Sequence, residues 1–400
     1  MDKFDVVVVG GGPTGATAAN DLATKGLNVL LIDKDGRIKP CGGAIPPKLV
    51  REFDIAESLL CEKVTTARMI SPSGQEVDMD IGGWVGMVNR DEFDEWLRQR
   101  AAKNGATRVT GYFRRVLHDM EDEPIVEYVS GREAVRVRTR AIIGADGALS
   151  MVAKDCIPGA EDVPKVFAYH EIVKTPQAPS KGYDGKRCDV YYQGECSPDF
   201  YGWVFPHGDK ISIGTGTAEK GFSLRKAVVK LRDAAGLTNA EDVRVEGAPI
   251  PLRTLKKWDN GRDTVVAGDA AGAVAPASGE GIYYAMLSGR FAADATAEFV
   301  RTRNPKALKM ARKRFMRLHG RVFLILGIMQ RFWYTTDKRR ERFVSICKDP
   351  DVQRLTWEAY MNKKLVRAKP IAHIRIFFKD LAHLVGLAPS RSPDKPQKPA

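Results

Sequence analysis

Residues 6–33, VVVVGGGPTGATAANDLATKGLNVLLID, constrain the fold more than any other stretch. Val6–Val9 is a short β-branched run, followed by Gly10, Gly12 and Gly15 in G-x-G-x-x-G spacing. A helical pattern then runs from Ala16 to Lys25, and a second apolar run, Val29–Ile32, ends in Asp33. Each part has a physical role. Gly10 permits the tight turn out of the first strand, Gly12 lets the backbone approach a pyrophosphate, and Gly15 lets the helix pack close to the strand. The phosphates then rest on the unpaired N–H groups of the helix N-terminus. Asp33 is placed to accept a hydrogen bond from a ribose hydroxyl. The order strand, glycine turn, helix, strand, acid predicts a βαβ unit that binds a dinucleotide.

Two later segments bear on which dinucleotide. Ala141-Ile142-Ile143-Gly144-Ala145-Asp146-Gly147 is an apolar strand ending in a tight turn. Thr264-Val265-Val266-Ala267-Gly268-Asp269-Ala270-Ala271-Gly272 is a second such strand, whose acid leads into a Gly/Ala-rich turn. Each alone is a strand and a turn. In this order, behind an N-terminal G-x-G-x-x-G, they resemble the hydroxylase-type flavoprotein superfamily. That resemblance implies FAD, held by Gly10, Gly12, Gly15, Asp33, Asp146, Gly268, Asp269 and Gly272. It puts Asp269 on the ribitol and the start of the following helix at the flavin, where a positive helix end stabilises the reduced anionic ring. No second G-x-G-x-x-G occurs, so a separate nicotinamide domain is not expected.

Four further stretches narrow the resemblance. They are Lys39-Pro40-Cys41-Gly42-Gly43-Ala44-Ile45-Pro46, Tyr201-Gly202-Trp203-Val204-Phe205-Pro206, Pro276-Ala277-Ser278-Gly279-Glu280-Gly281-Ile282-Tyr283, and Arg340-Glu341-Arg342-Phe343-Val344 through Arg354-Leu355-Thr356. They look like the geranylgeranyl reductases, in particular the chlorophyll and bacteriochlorophyll branch. The resemblance implies reduction of three double bonds of a geranylgeranyl chain to give phytyl. The substrate would be the free diphosphate or the chain esterified to the pigment, with NADPH as donor. It implies catalytic roles for Gly279, Glu280 and Gly281. One departure stands out: the family often has Lys after the Tyr-x-Trp-x-Phe-Pro block, and here His207 follows it. Two other readings remain open, an FAD-dependent monooxygenase and a non-enzymatic prenyl-binding escort.

The residues carry their own alternatives. Tyr201, Trp203 and Phe205 alternate as in a strand, either lining a prenyl cavity or filling a core. Cys41 reads either as a proton donor near the flavin or as a small buried thiol. Arg90, before an expected helix Asp91–Ala102, either reaches the cofactor or caps that helix.

The 400 residues, 44% apolar, can bury a sizeable core. The expected architecture is α/β. A Rossmann-like FAD-binding domain (1–160 and 258–300) encloses an antiparallel β-sheet substrate domain (161–257), to which residues 62–88 add strands. A basic helical C-terminal region (301–389) and a disordered tail (390–400) follow. The six cysteines form no C-x-x-C pair, so neither a metal site nor a disulfide framework is expected. The first strand begins at once, which predicts no signal peptide and a cytoplasmic location. Residues 301–400 hold 25 Lys and Arg against 7 Asp and Glu, a net +18 in a chain of +13 overall. Within them, Val322–Tyr334 is apolar, flanked by Arg321 and interrupted by Arg331. That run is too short to span a bilayer. It suits a helix lying in an anionic membrane surface, with Phe323, Leu326 and Trp333 as candidate lipid-facing residues, or a helix buried on the FAD domain. Bulky aliphatics among the basic residues argue against nucleic acid.

Overall fold

The computed structural model describes residues 1–34, 38–39, 41–161, 163–177 and 182–363. Residues 364–389 of the expected helical region, and the expected tail 390–400, lie outside the described residues.

The first sheet is built around Lys3–Val9, which lies parallel between Val29–Asp33 and Glu133–Gly144. Thr107–Thr110 continues it beyond Val29–Asp33, and Thr264–Val266 joins Glu133–Gly144 in parallel. Pro124–Ser130 and Tyr112–His118 extend it as antiparallel strands. Val6, Val7, Val8, Ile142 and Ile143 are fully buried. Such runs are apolar without alternation because both faces of the parallel centre are covered.

The helices are α1 (Pro13–Ala23), α2 (Pro47–Glu52), α3 (Arg90–Lys103), α4 (Met151–Cys156), α5 (Leu224–Ala234), α6 (Ile282–Thr302), α7 (Lys309–Trp333), α8 (Asp337–Ile346) and α9 (Pro350–Asn362). α1 starts three residues before the expected Ala16, because Pro13 suits the first helical position and Gly12 takes the cap. α3 likewise begins at Arg90, so that residue is inside the first turn, not ahead of it.

The second sheet has the spatial order Asp242–Pro251, Lys165–Lys174, Lys210–Thr217, Gly202–His207, Arg187–Tyr191, Leu60–Ile70, Glu76–Val88, Ala44–Ile45. It differs from the antiparallel sheet expected from the sequence in one respect. The sheet is mixed, because Arg187–Tyr191 pairs parallel to Leu60–Ile70 and so joins two groups of antiparallel strands side by side. Leu60–Ile70 and Glu76–Val88 run in this sheet, where residues 62–88 were expected to add strands, and the alternation in Glu76–Ile81 favours that place.

α7 packs one face on α6, where Tyr284 meets Phe323 and Phe315 at ring distances of 4.9 and 6.1 Å. Phe323 and Trp333 are buried and Leu326 is partly so, so they do not form a lipid-facing set. The outward apolar residues are Met310, Leu318, Leu324, Ile325 and Ile328, with Leu324 66% exposed. No described helix is long and apolar enough to cross a membrane.

Candidate functional site

A cavity of about 310 Å³ takes walls from both sheets. Gly10, Gly11, Gly12, Asp33 and Arg98 line one end, and Cys41, Tyr201, Trp203, Phe205, Gly279 and Gly281 line the other. Arg90, Asp146 and Asp269 also contribute to it.

The glycine end is shaped by backbone. Gly10 has φ +102°, and a Cβ there would lie 2.4 Å from the Ala145 carbonyl oxygen. A Cβ on Gly15 would lie 1.8 Å from the Gly10 oxygen, so Gly15 seats the helix on the strand and stays off the cavity wall. Gly12 differs: a Cβ on it would meet no atom within 4 Å. Gly12 caps α1 without any side-chain cap, so the space in front of the orphan N–H groups fits a pyrophosphate. Asp33 accepts from the Gly11 N–H at 2.8 Å and pairs with Arg98 at 3.3 Å. Burial raises its carboxyl above the ordinary range, against the pull of the Gly11 N–H and Arg98. Arg98 escaped the sequence reading because it comes from α3, far along the chain.

The later acids divide. Asp146 lines the cavity, but its carboxylate caps α4 through the Met151 and Val152 N–H groups, at 2.7 and 3.2 Å, and takes the Ser150 hydroxyl. Asp146 therefore sets the turn. Asp269 is held by Lys39, another residue missed from sequence, although it stands beside Cys41 in a quoted motif. Gly268 and Gly272 are not among the residues that line the cavity, while Asp269 is. A Cβ on Gly268 would lie 2.0 Å from the Thr14 hydroxyl, and one on Gly272 2.1 Å from the Arg253 carbonyl oxygen. Gly268 lets the Asp269 turn sit close on α1, and Gly272 lets it sit against the Arg253–Thr254 backbone.

The aromatic end is built from side chains. Tyr201 stacks on Phe200 at 4.4 Å and meets Trp203 edge-on at 6.1 Å. Its hydroxyl donates to the Ser278 carbonyl at 2.5 Å, tying the aromatic strand to the Gly279–Gly281 turn. Burial pushes this phenol far up, so it stays a neutral donor. The Cys41–Gly43 loop lies over Phe205, since a Cβ on Gly42 would come within 2.8 Å of that ring. Arg90 lines the cavity with Cys41 and is locked to Asp94 by two bonds of 2.8 and 2.7 Å. Under the loop, His207 donates from Nε2 to the Gly42 carbonyl at 3.2 Å, and burial lowers it to about 4. The residue standing where a lysine was anticipated is therefore neutral, and supports the loop.

Glu280 is not among the residues that line the cavity, although its neighbours Gly279 and Gly281 are. Its carboxylate pairs at 2.5 Å with Lys363, just beyond α9. Both are buried. Burial raises the acid and lowers the base, and each opposes the other's shift. The Lys363 ammonium also lies 3.7 Å from the Tyr360 ring centre. Lys363 carried no signal in the sequence, because its partner is 83 residues away.

The profile of the FAD binding domain family matches residues 3–317. A geranylgeranyl diphosphate reductase of Rhodobacter capsulatus is 55% identical over 390 residues, covering 97% of this chain and 99% of that one. A chloroplastic geranylgeranyl diphosphate reductase of Oryza sativa subsp. japonica is 39% identical, over 96% of this chain and 86% of that one. Among solved structures, a geranylgeranyl bacteriochlorophyll reductase-like protein from Thermoplasma acidophilum superposes with a TM-score of 0.81 at 23% identity, covering 97% and 100% of the two chains. A flavin-dependent brominase superposes with a TM-score of 0.73 at 18% identity, covering 96% and 100%. These two likenesses concern the fold.

Proposed function

The chain belongs to the geranylgeranyl diphosphate reductase family, and on that premise we propose how its cavity works and what it acts on. It is an FAD-dependent oxidoreductase that reduces geranylgeranyl chains. The finer reading is that it saturates three of the four double bonds to give phytyl, on the diphosphate or on the chain esterified to bacteriochlorophyll or chlorophyll, with NADPH as donor. The observation that carries this reading is the continuity of the cavity. One space joins the glycine cradle to the Tyr201, Trp203 and Phe205 wall, so an apolar chain and a dinucleotide can meet inside it.

Flavin supplies hydride chemistry when bound. An isolated alkene is a poor hydride acceptor, so the other carbon must gain a proton in a site that keeps water out. Gly10, Gly12, Asp33 and Asp269 would hold the cofactor, and Gly279 and Gly281 would leave it room at the start of α6. The Cys41 thiol delivers the proton, with Arg90 fixed beside it. Apolar walls let the chain slide between successive reductions. Incubation of the holoprotein with NADPH and geranylgeranyl diphosphate or geranylgeranylated pigment should add two hydrogens per step, up to six. Peroxide or an oxygenated chain without added hydrogens would favour a monooxygenase. Protein purified without flavin absorbance would favour an escort.

The same reading places the protein peripherally on the cytoplasmic face of a photosynthetic membrane. Leu324, Ile325 and Ile328 form an exposed stripe on α7, flanked by exposed Arg317, Arg321 and Arg331. Liposomes rich in anionic lipid should float the protein at low salt. Replacing the three aliphatics with Ser should leave only a salt-labile remnant of flotation, with the melting temperature unchanged. Wild-type protein that stays at the bottom of the gradient overturns the assignment.

A further inference from the structure

Behind the aromatic wall lies a buried polar chain. The Trp203 indole N–H donates to the Ser212 hydroxyl oxygen at 3.1 Å. Ser212 in turn meets His170 Nδ1 at 3.2 Å, and His170 Nε2 lies 2.5 Å from Glu246. Arg244 pairs with Glu246 at 2.7 Å and with Asp91 at 2.8 Å, so the chain returns to the first turn of α3, beside Arg90. Ser212 is fully buried, and His170 nearly so. With the Glu246 carboxylate accepting at Nε2, the imidazole carries its hydrogen there and offers Nδ1 as an acceptor to the Ser212 O–H. The serine oxygen is then left to receive the indole. The same three residue types can serve a hydrolase as nucleophile, base and orienter, but here the serine has no exposure and its oxygen holds a ring. Gly214 completes the seat: a Cβ on it would fall 2.2 Å from Trp203 Cζ2 and 2.6 Å from the His170 Cβ.

We infer that Ser212 and His170 are positioning residues that fix the plane of Trp203 against the prenyl chain, and so set which alkene the cavity presents for reduction. Trp203 touches the cavity and the other residues act through it. Three features support this. The network ends on the one polar atom of a wall side chain. Every link lies within hydrogen-bond or ion-pair distance. The glycine opposite removes the only side chain that strand position could press on the ring. The inference rests on the reading of Trp203 as a substrate wall.

The test separates the two levels. Protein labelled with ¹⁵N at tryptophan indoles should show a slowly exchanging indole N–H resonance that disappears in Trp203→Phe and is thereby assigned to Trp203, apart from that of the fully buried Trp258. Ser212→Ala should shift it and speed its exchange. Asn places its amide near Nδ1 of a histidine and Gln places its amide near Nε2. His170→Asn should therefore preserve the resonance, and His170→Gln should shift it. In turnover with geranylgeranyl diphosphate, Ser212→Ala should raise KM about tenfold and enrich partly reduced chains, with FAD retention unchanged. Circular dichroism and flavin content establish that each variant is folded. A resonance unmoved by Ser212→Ala overturns the network. A shifted resonance with unaltered KM and product pattern overturns its role toward substrate. Holoprotein that reduces no prenyl chain overturns the functional reading instead, and with it the substrate role, while the resonances still judge the network.

Discussion

The two ends of the cavity are made of different material. The cradle around Gly10 and Gly12 is backbone, and its shape depends on atoms that are missing. The aromatic end is side chain, and its shape depends on hydrogen bonds behind the rings. A backbone cradle fails abruptly when one carbon is added. A side-chain wall degrades by steps, because each supporting bond contributes separately.

The sharpest way to break this contrast is at Gly12. Gly12→Val adds atoms into open space, so the apoprotein should fold with its usual melting temperature. FAD affinity should fall by roughly a thousandfold, about 4 kcal/mol, read as colourless protein after gel filtration. Gly15→Val should instead lower stability, because its Cβ would overlap the Gly10 oxygen. If both variants behave alike, the cradle does not separate cofactor space from packing. The junction between the two ends comes next. Lys363→Met leaves Glu280 buried without its partner and should cost about 3–5 kcal/mol in urea unfolding. Adding Glu280→Gln should recover much of that loss. A double variant no better than the single one would show that the pair does not hold the Gly279–Gly281 turn.

Acid should act on the two ends with opposite sign. His207 is lowered to about 4 from an ordinary 6.5. The unfolded chain then binds a proton that the folded chain refuses, so this stability is complete above the unfolded value and lost as pH falls from about 6.5 toward 4. The full loss is about 3 kcal/mol and the loss at pH 5.5 about 1.4 kcal/mol. His319, also lowered to about 4, adds a term of the same sign. Asp33 and Asp146 are raised by burial in the protein without its cofactor, so their term is greatest in acid and fades as pH rises through their folded values. Urea titrations of the apoprotein at pH 7.5 and 5.5 should show net loss in acid. His207→Gln, which keeps a donor for Gly42, should remove its share. An unchanged slope would show that His207 is not the buried neutral support described. The smallest effect is expected at the wall. Tyr201→Phe removes the bond to Ser278 and should slow turnover severalfold, about 1 kcal/mol, with FAD still bound.

This contrast also explains what could be read in advance. Gly10, Gly12 and Asp33 can be read because a short strand–turn–helix–strand unit fixes their spacing, whereas Asp269 is reached only through the family resemblance. Tyr201, Trp203 and Phe205 show through their alternation. Arg98, Lys39 and Lys363 do not, because nothing in local periodicity says which distant strand or turn they reach. The Ser212–His170–Glu246 chain crosses three strands whose order is decided by pairing between remote segments. Asp242–Pro251 was unread as a strand because Gly247, Pro249 and Pro251 interrupt its pattern. On α7, composition announced an apolar helix, and tertiary packing chose which of its faces turned outward.

The parallel pairing of Arg187–Tyr191 with Leu60–Ile70 has a consequence in time. During synthesis the hairpin Leu60–Val88 leaves the ribosome long before its neighbour exists, so one edge waits unpaired while more than a hundred further residues are added. The first sheet waits longer still, for Thr264–Val266 to insert beside Glu133–Gly144. Such distant closures make folding slow. Capture of the cofactor follows translation of Asp269, and chaperone demand should peak in the interval before it.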